Sequence, residues 1–527
     1  MSADDGIGVR RFMRPDAMVA AGILASRMAG VVRTAIISYF FGLKSEAVDA
    51  FNAAFRIPNL LQNLFGEGAL SGSFIPVYTG LRVRGEDEAA AQTARTFFVL
   101  LSTVIAVLVL IGMIAAPWIT PILVPGFEGH KRDLTIRLVR VLFPGAGLFV
   151  ASAWCLGVLN SHGKFLLSYA APVAWNAAMI ATLLLFGPGR ELDVLAIYLA
   201  WGSVAGSALL LAVQWPYARS LTRHATGMAL SDPVRQIARN FVPITISRGA
   251  VQLTGYIDQW IASWLPTGAV TGLSNAQLLY TLPVSLFGIS ISAAELPALS
   301  GDAARHANDD PLQRAETYRA FRARIDAGLQ RLAFFIVPSA LAFVAVGDVI
   351  AGALLQHGKF TPEDSRYVWG ILAGSAIGLL ASTMARLYSV AHFALGDAKR
   401  PLRFALVRLA VAGGLGYVCA LAVPGAIGIA AQWGAAGLTA SAGIAGWIEF
   451  ALLRASLNHR IGTTGVAASY MARLWTAAIA AAAIGFAFKL LAPSNPLIRG
   501  AIVIPSFGAA YLAAAFALRV PIPGLRR

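Results

Sequence analysis

Long uncharged runs alternate with short charged breaks along almost the whole chain. Phe97–Phe127, Phe165–Gly189 and Val194–Ala218 carry no charged residue, and Leu332–Gly347 is a shorter run of the same kind. Leu409–Ile448 is uncharged but too long for one crossing, and Val423-Pro424-Gly425 reads as the turn that splits it. Leu474–Phe488 and Gly500–Leu518 form a last pair around Pro493 and Pro496. At about 20 apolar residues per crossing, these runs and the more polar helical segments between them predict about fourteen membrane-spanning helices. They begin near residues 17, 51, 96, 134, 165, 193, 234, 270, 327, 366, 401, 426, 466 and 498. The stretch after Arg10, Arg11 and Arg14 runs on as Met18–Gly42 with two further arginines, so it reads as a span and not a cleavable signal.

Composition agrees with the pattern. The 527 residues are 57% hydrophobic and 13% charged, about half the roughly 25% charge of a soluble domain. A soluble enzyme, a disulfide scaffold and a disordered chain are excluded. Cys155 and Cys419 lie in apolar stretches, and the seven histidines show no metal-ligand spacing. The formal charge of +16 is read as basic residues kept on one side of a membrane, with no nucleic-acid partner. One set of alternate loops holds Arg10/Arg11/Arg14, Arg82/Arg84/Arg95, Lys164, Arg219/Arg223/Arg235/Arg239, Arg305 to Arg324, Lys399/Arg400/Arg403, Arg454/Arg460 and Arg526/Arg527. The other set is much poorer, with Lys44, Lys131/Arg132, Arg190, Lys359 and Arg499, once Arg137, Arg140 and Arg366 are assigned to the starts of spans. The richer set, and both termini, are expected in the cytoplasm.

A weak repeat supports a two-lobed plan. The loop Phe127-Glu128-Gly129-His130-Lys131 recurs in style as Gln356-His357-Gly358-Lys359-Phe360, and Asn160–Lys164 recurs as Leu395–Lys399. Both spacings correspond to six spans, an even number, so the copies share one orientation. The domains expected are an N-terminal lobe at 1–225, a C-terminal lobe at 226–460 and a helix pair at 461–527.

Charge inside a span costs roughly 2.5–3.5 kcal/mol on insertion scales, so such positions are the informative ones. Arg27 and Arg33 lie in the first span, about 120° apart around an ideal helix, with Gly30 between them as a place to bend. Asp49, Arg56, Pro58 and Glu67 follow in the second, beside Gly66, Gly68 and Gly72. Arg248 and Asp258 lie in the seventh span, Glu295 in the eighth, Arg331 in the ninth and Arg386 in the tenth. Arg331, Arg473 and Lys489 are read as reaching to the headgroups. Arg27, Arg33, Arg56 and Arg248 are read as lining a hydrated cavity. The competing account is internal pairing, of Arg27 or Arg33 with Asp49, or of Arg56 with Glu67. Guanidinium forks match phosphate and carboxylate oxygens and stay charged when desolvated, so the expected cargo is an anion.

Several motifs carry a resemblance. Ser26-Arg27-Met28-Ala29-Gly30-Val31-Val32-Arg33, Val48-Asp49-Ala50-Phe51, Phe55-Arg56-Ile57-Pro58-Asn59-Leu60-Leu61 and Phe65-Gly66-Glu67-Gly68-Ala69-Leu70-Ser71 follow in order. Phe74-Ile75-Pro76-Val77, Val124-Pro125-Gly126-Phe127, Leu355–Thr361 and Gly396-Asp397-Ala398-Lys399-Arg400-Pro401 come after them. Together they resemble the MurJ/MviN lipid II flippases of the multidrug/oligosaccharidyl-lipid/polysaccharide exporter superfamily. The resemblance implies an all-α integral membrane protein, two six-helix lobes in a V shape plus two C-terminal helices that groove the lipid tail. It implies transport of the undecaprenyl-pyrophosphate-linked peptidoglycan precursor from inner to outer leaflet by alternating access, in the bacterial inner membrane, without enzymatic chemistry. By the resemblance, Arg27 and Arg33 match the family's cavity arginines in the first helix, Asp49 and Glu67 match acidic positions in its motifs, and Arg56 falls where it has a basic residue. No cofactor is expected and a coupling ion is left open; the Gly163-Lys164 pair lacks the glycine spacing of a phosphate-cradling loop. Membrane lipid, the lipid-linked cargo and peptidoglycan-synthesis enzymes are the candidate partners. Asp302–Arg324 is read as a solvated helical connector.

Two departures qualify the resemblance. Gln62 and Asn63 stand where the family usually has arginines. Ala276-Gln277-Leu278-Leu279 stands where it shows Ala-Asp-Arg-Leu, so Leu278 replaces a second cavity cation. Arg248 is the proposed substitute. The alternatives to a lipid II flippase are a divergent paralogue moving another polyprenyl-linked or anionic lipid, and a non-transporting membrane scaffold.

Overall fold

The computed structural model describes residues 15–223, 227–292, 295, 299–301 and 311–521. Arg10, Arg11, Arg14, Asp302, Arg305, Arg526 and Arg527 of the charge pattern lie outside them. Among the described residues the chain is helical, without strands. In order come α1 (Pro15–Phe41), α2 (Glu46–Phe65), α3 (Glu67–Val83), α4 (Asp87–Leu123), α5 (Gly129–Ser161), α6 (Phe165–Phe186), α7 (Leu192–Leu221) and α8 (Asp232–Ser263). Then follow α9 (Ala269–Pro283), α10 (Pro311–Leu355), α11 (Pro362–Ala394), α12 (Lys399–Tyr417), α13 (Gly434–Ile461), α14 (Ala468–Leu491) and α15 (Pro496–Ala517). Among the described residues nine helices are long and apolar enough to cross a membrane.

Two compact units divide the chain. Unit 1 holds residues 1–41 and 45–256, and unit 2 holds 42–44 and 257–527, so the division falls within α8. In unit 1 the core runs from Phe41 and Phe51 through Leu138, Leu142, Met179 and Leu199. In unit 2, α11 crosses α13 where each presents a glycine: a Cβ on Gly443 would stand 2.8 Å from the Gly378 nitrogen. Small residues let helix backbones approach in this way where no hydrophobic force drives them together.

Capping accounts for several starts. Ser45 accepts from the Val48 N–H at the head of α2, and Thr361 and Asp364 form a reciprocal capping box on α11. Asn495 caps α15, with Pro496 at its first position.

The predicted second span is two helices. It breaks at Gly66, whose extended ψ of −155° ends α2 and starts α3. Val423-Pro424-Gly425 is not a turn. α12 widens into a π turn at Val418–Ala422 and continues helically to Ala426; a proline ring clashes with the carbonyl four residues back, and the wider turn makes room for it. The chain reverses after Gly428, at φ +71°, and the next helix starts at 434, later than predicted.

Two cations read as reaching to headgroups have acid partners. Arg331 donates to Glu295 at 3.2 Å and Lys489 to Asp348 at 2.8 Å. Glu295 is buried, and Arg331 reaches it from an exposed position; Asp348 and Lys489 are both mostly buried. The segment joining α13 to α14 is tied to unit 2 at three points. Arg322 donates to the Ile461 carbonyl at 2.8 Å, Arg454 to the Thr464 carbonyl at 3.1 Å, and the Gly465 N–H to Asp326 at 2.8 Å.

Candidate functional site

A cavity of about 370 Å³ opens within unit 1, walled by α1, α2, α5, α6, α7 and the start of α3. Its charged residues are Arg33 and Glu67, and Gln62, Asn176 and Gln214 add neutral polar groups. Ser152 donates to Gln214 at 2.8 Å across α5 and α7, so one wall is already satisfied by its own hydrogen bonds. Asn176 donates to the Pro172 carbonyl at 2.9 Å, while its own side-chain oxygen is buried without a partner among the described residues.

Arg33 is the central charge. Its guanidinium carbon sits 4.7 Å from the centroid of the Trp175 ring, within the range where a ring face attracts a cation. Trp175 is held in place from three sides. Its ring nitrogen donates to the Ser203 carbonyl at 3.1 Å. Phe55 and Phe149 pack on it at centroid distances of 5.9 and 5.3 Å. Gly206 leaves the space it needs, since a Cβ there would stand 2.8 Å from the indole. The Arg33 Nε is buried with no hydrogen-bond partner among the described residues. A guanidinium placed this way retains unfilled donor capacity, which an oxyanion can meet.

Glu67 opens α3 and lies in electrostatic reach of Arg248 on α8. The Arg248 guanidinium lies against Gly68, occupying the space a Cβ would need there. The glycine after Glu67 therefore leaves room for that guanidinium, which a side chain there would displace. Among the described residues Glu67 makes no ion pair with Arg56, and the cation acting on it is Arg248.

The other site residues lie apart from this cavity. Asp49 is fully buried and accepts from Lys131 at 2.9 Å, and the Lys131 ammonium also stands 3.9 Å from the Phe127 ring centroid. Neither first-span arginine is its salt-bridge partner. Arg56 faces α8, where a Cβ on Gly255 would stand 2.7 Å from its Nη2, and its carbonyl accepts from the Tyr256 hydroxyl at 3.0 Å. Arg27 is half-buried on α1 and, against the expectation that it lines the cavity, is not part of this wall; an ideal helix sets it about 120° from Arg33. Of the two neutral replacements, Gln62 lines the cavity and Asn63 donates to Gln252 at 3.3 Å. Arg248 belongs to unit 1, so its charge is added to the cavity's own lobe. Trp175, Asn176 and Gln214 are the residues sequence reasoning missed; the signal available for Asn176 and Gln214 is a lone amide inside an otherwise apolar run.

Known proteins place this geometry in context. The sequence model of one protein family, described as lipid II flippase MurJ, matches residues 37–496. A probable lipid II flippase MurJ of Bdellovibrio bacteriovorus is 32% identical over 459 residues, covering 85% of this chain and 82% of that protein. The lipid II flippase MurJ of Burkholderia cenocepacia is 30% identical over 445 residues, covering 83% and 82%. A solved lipid II flippase MurJ in an inward closed conformation superposes with a TM-score of 0.75 at 20% identity, covering 95% of this chain and 99% of that one.

Proposed function

The chain belongs to the MurJ family of lipid II flippases, and from that premise we propose that it carries lipid II, a polyprenyl pyrophosphate bearing the peptidoglycan precursor, from the inner to the outer leaflet. The observation that carries the reading is Arg33, set on the Trp175 face in the unit 1 cavity with its Nε unpartnered. A permanently charged fork in a desolvated wall favours a phosphate oxygen over water as its partner. Arg33 binds the pyrophosphate, and Arg248 adds positive charge near Glu67. Arg27 and Arg56 supply charge beside the cavity, and the Asp49–Lys131 pair holds the wall.

The basic loops face the cytoplasm in this reading, with both termini inside. The cargo's tail stays in lipid while its headgroup enters the cavity. Tighter headgroup binding in an occluded state biases the protein through its cycle. The protein acts as a carrier, without covalent chemistry.

Complementation tests the proposal. Cells depleted of their own lipid II flippase and supplied with this chain grow, and those given Arg33→Gln lyse although the variant reaches the membrane. Lysis with the unaltered, membrane-inserted chain would assign it to another anionic lipid or to a non-transporting role.

A further inference from the structure

Unit 2 contains a polar cluster at positions that repeat the wall of the unit 1 cavity. α5 and α11 have 33 residues each, and each is followed by a glycine in the left-handed region, Gly163 at φ +69° and Gly396 at φ +75°. Counted from those two glycines, the cavity residues Phe149, Ala153 and Trp175 correspond to Ser382, Arg386 and Arg408. Counted from Pro58 and Pro283, Phe55 corresponds to Tyr280. Four apolar wall residues of one lobe are thus replaced by four polar ones in the other.

The replacements meet one another. The Tyr280 hydroxyl and Ser382 Oγ share a hydrogen bond at 2.8 Å. Arg386 and Arg408 both act electrostatically on Tyr280, and the charges acting on Arg386 are Tyr280, Arg408 and Glu449. Arg408 donates through Nη1 to Glu449 at 3.1 Å, leaving its buried Nε without a partner among the described residues. Arg386 is exposed and, among the described residues, makes no hydrogen bond or ion pair. One carboxylate therefore faces two guanidiniums, and neither guanidinium can shed its proton. The remaining positive charge and the free donor edges call for an anion.

We propose that Arg386 and Arg408, with the Tyr280 hydroxyl, form a second oxyanion subsite in unit 2 that takes a phosphate or carboxylate group. Leu278 leaves α9 without a cation, and this cluster supplies the charge from α11 and α12 instead. The proposal deepens the reading of the chain as a carrier of an anionic lipid, but free anions test it without reference to transport.

The full-length protein in phosphatidylcholine nanodiscs, carrying Arg33→Gln to silence the unit 1 cavity, is titrated with inorganic pyrophosphate and separately with succinate. Saturable thermal stabilisation by at least one of them is expected. Adding Arg386→Gln weakens the apparent affinity about tenfold, Arg386→Lys restores part of it, and the melting temperature without anion stays unchanged. Arg408→Gln combined with Glu449→Gln, which removes the ion pair as a unit, weakens binding as well. Response to pyrophosphate alone assigns the site to phosphate, and response to succinate alone to carboxylate. No anion-dependent stabilisation in Arg33→Gln, or stabilisation indifferent to Arg386→Gln, overturns the subsite. Anion binding retained in a chain that fails complementation would sink the flippase reading and leave the subsite standing.

Discussion

The Lys131 ammonium donates to the Asp49 carboxylate at 2.9 Å in a site where the lysine side chain is 9% exposed and the aspartate not at all. Removing one member of such a pair strands a charge in an apolar interior. Asp49→Asn is expected to destabilise the protein by about 3–5 kcal/mol, read as a lowered denaturation midpoint in detergent. The double variant Asp49→Asn with Lys131→Met should recover most of that loss and still support growth. A double variant that is stable but inactive would move Asp49 from the wall to the cargo.

Trp175 gives Arg33 its orientation through a cation–π contact. That contact contributes about 1 kcal/mol in a partly desolvated setting. Trp175→Leu, which removes the ring face, is therefore expected to weaken lipid II binding about threefold to fivefold while Arg33 remains in place. Equal affinity in the two proteins, measured by native mass spectrometry or microscale titration, would show that the ring only fills space.

Gly68 makes room for the Arg248 guanidinium. In Gly68→Ala the far end of a flexible side chain must move, so the fold should hold within about 0.5 kcal/mol while transport falls. The same substitution in an Arg248→Gln background should add nothing, because the group it displaces is gone. An additive loss in that double-mutant cycle would detach Gly68 from Arg248.

His162 closes α5, with its Nε2 3.0 Å from the Tyr78 hydroxyl. Burial, with Arg82 and Lys164 nearby, pushes its pKa from 6.5 down to about 4. The folded state therefore resists a proton that the unfolded chain accepts, and stability falls as pH drops from about 6.5 to about 4. His162→Gln should flatten that part of the melting-temperature profile. An unchanged profile would refute the assignment.

How far the sequence reveals the molecule depends on what kind of signal each feature leaves. Helices such as α4 and α7 are legible because long uncharged runs have one stable form in lipid. The break at Gly66 was hidden because glycine is equally common inside packed membrane helices. Pro424 misled because a π turn just before it absorbs the ring's clash, and local sequence does not announce that accommodation. Arg33 and Glu67 were legible since charge in an apolar run is rare. Trp175 was not, because an aromatic ring on a cavity wall and one in a core look alike in sequence. In sequence Lys131 reads as a loop residue, and its bond to Asp49 spans 82 positions that no local pattern connects.

The three ties on residues 461–465 bear on how this protein can be cut. Arg454 and Asp326 each hold a backbone group of the crossover into α14. A chain ended after Ile461 would therefore lose more than its final helices: a cation and an anion on the preceding bundle would be left without the groups they grip. The terminal hairpin is riveted to its host, and any shortened or re-fused version made at that joint starts with loosened fastenings in the larger body.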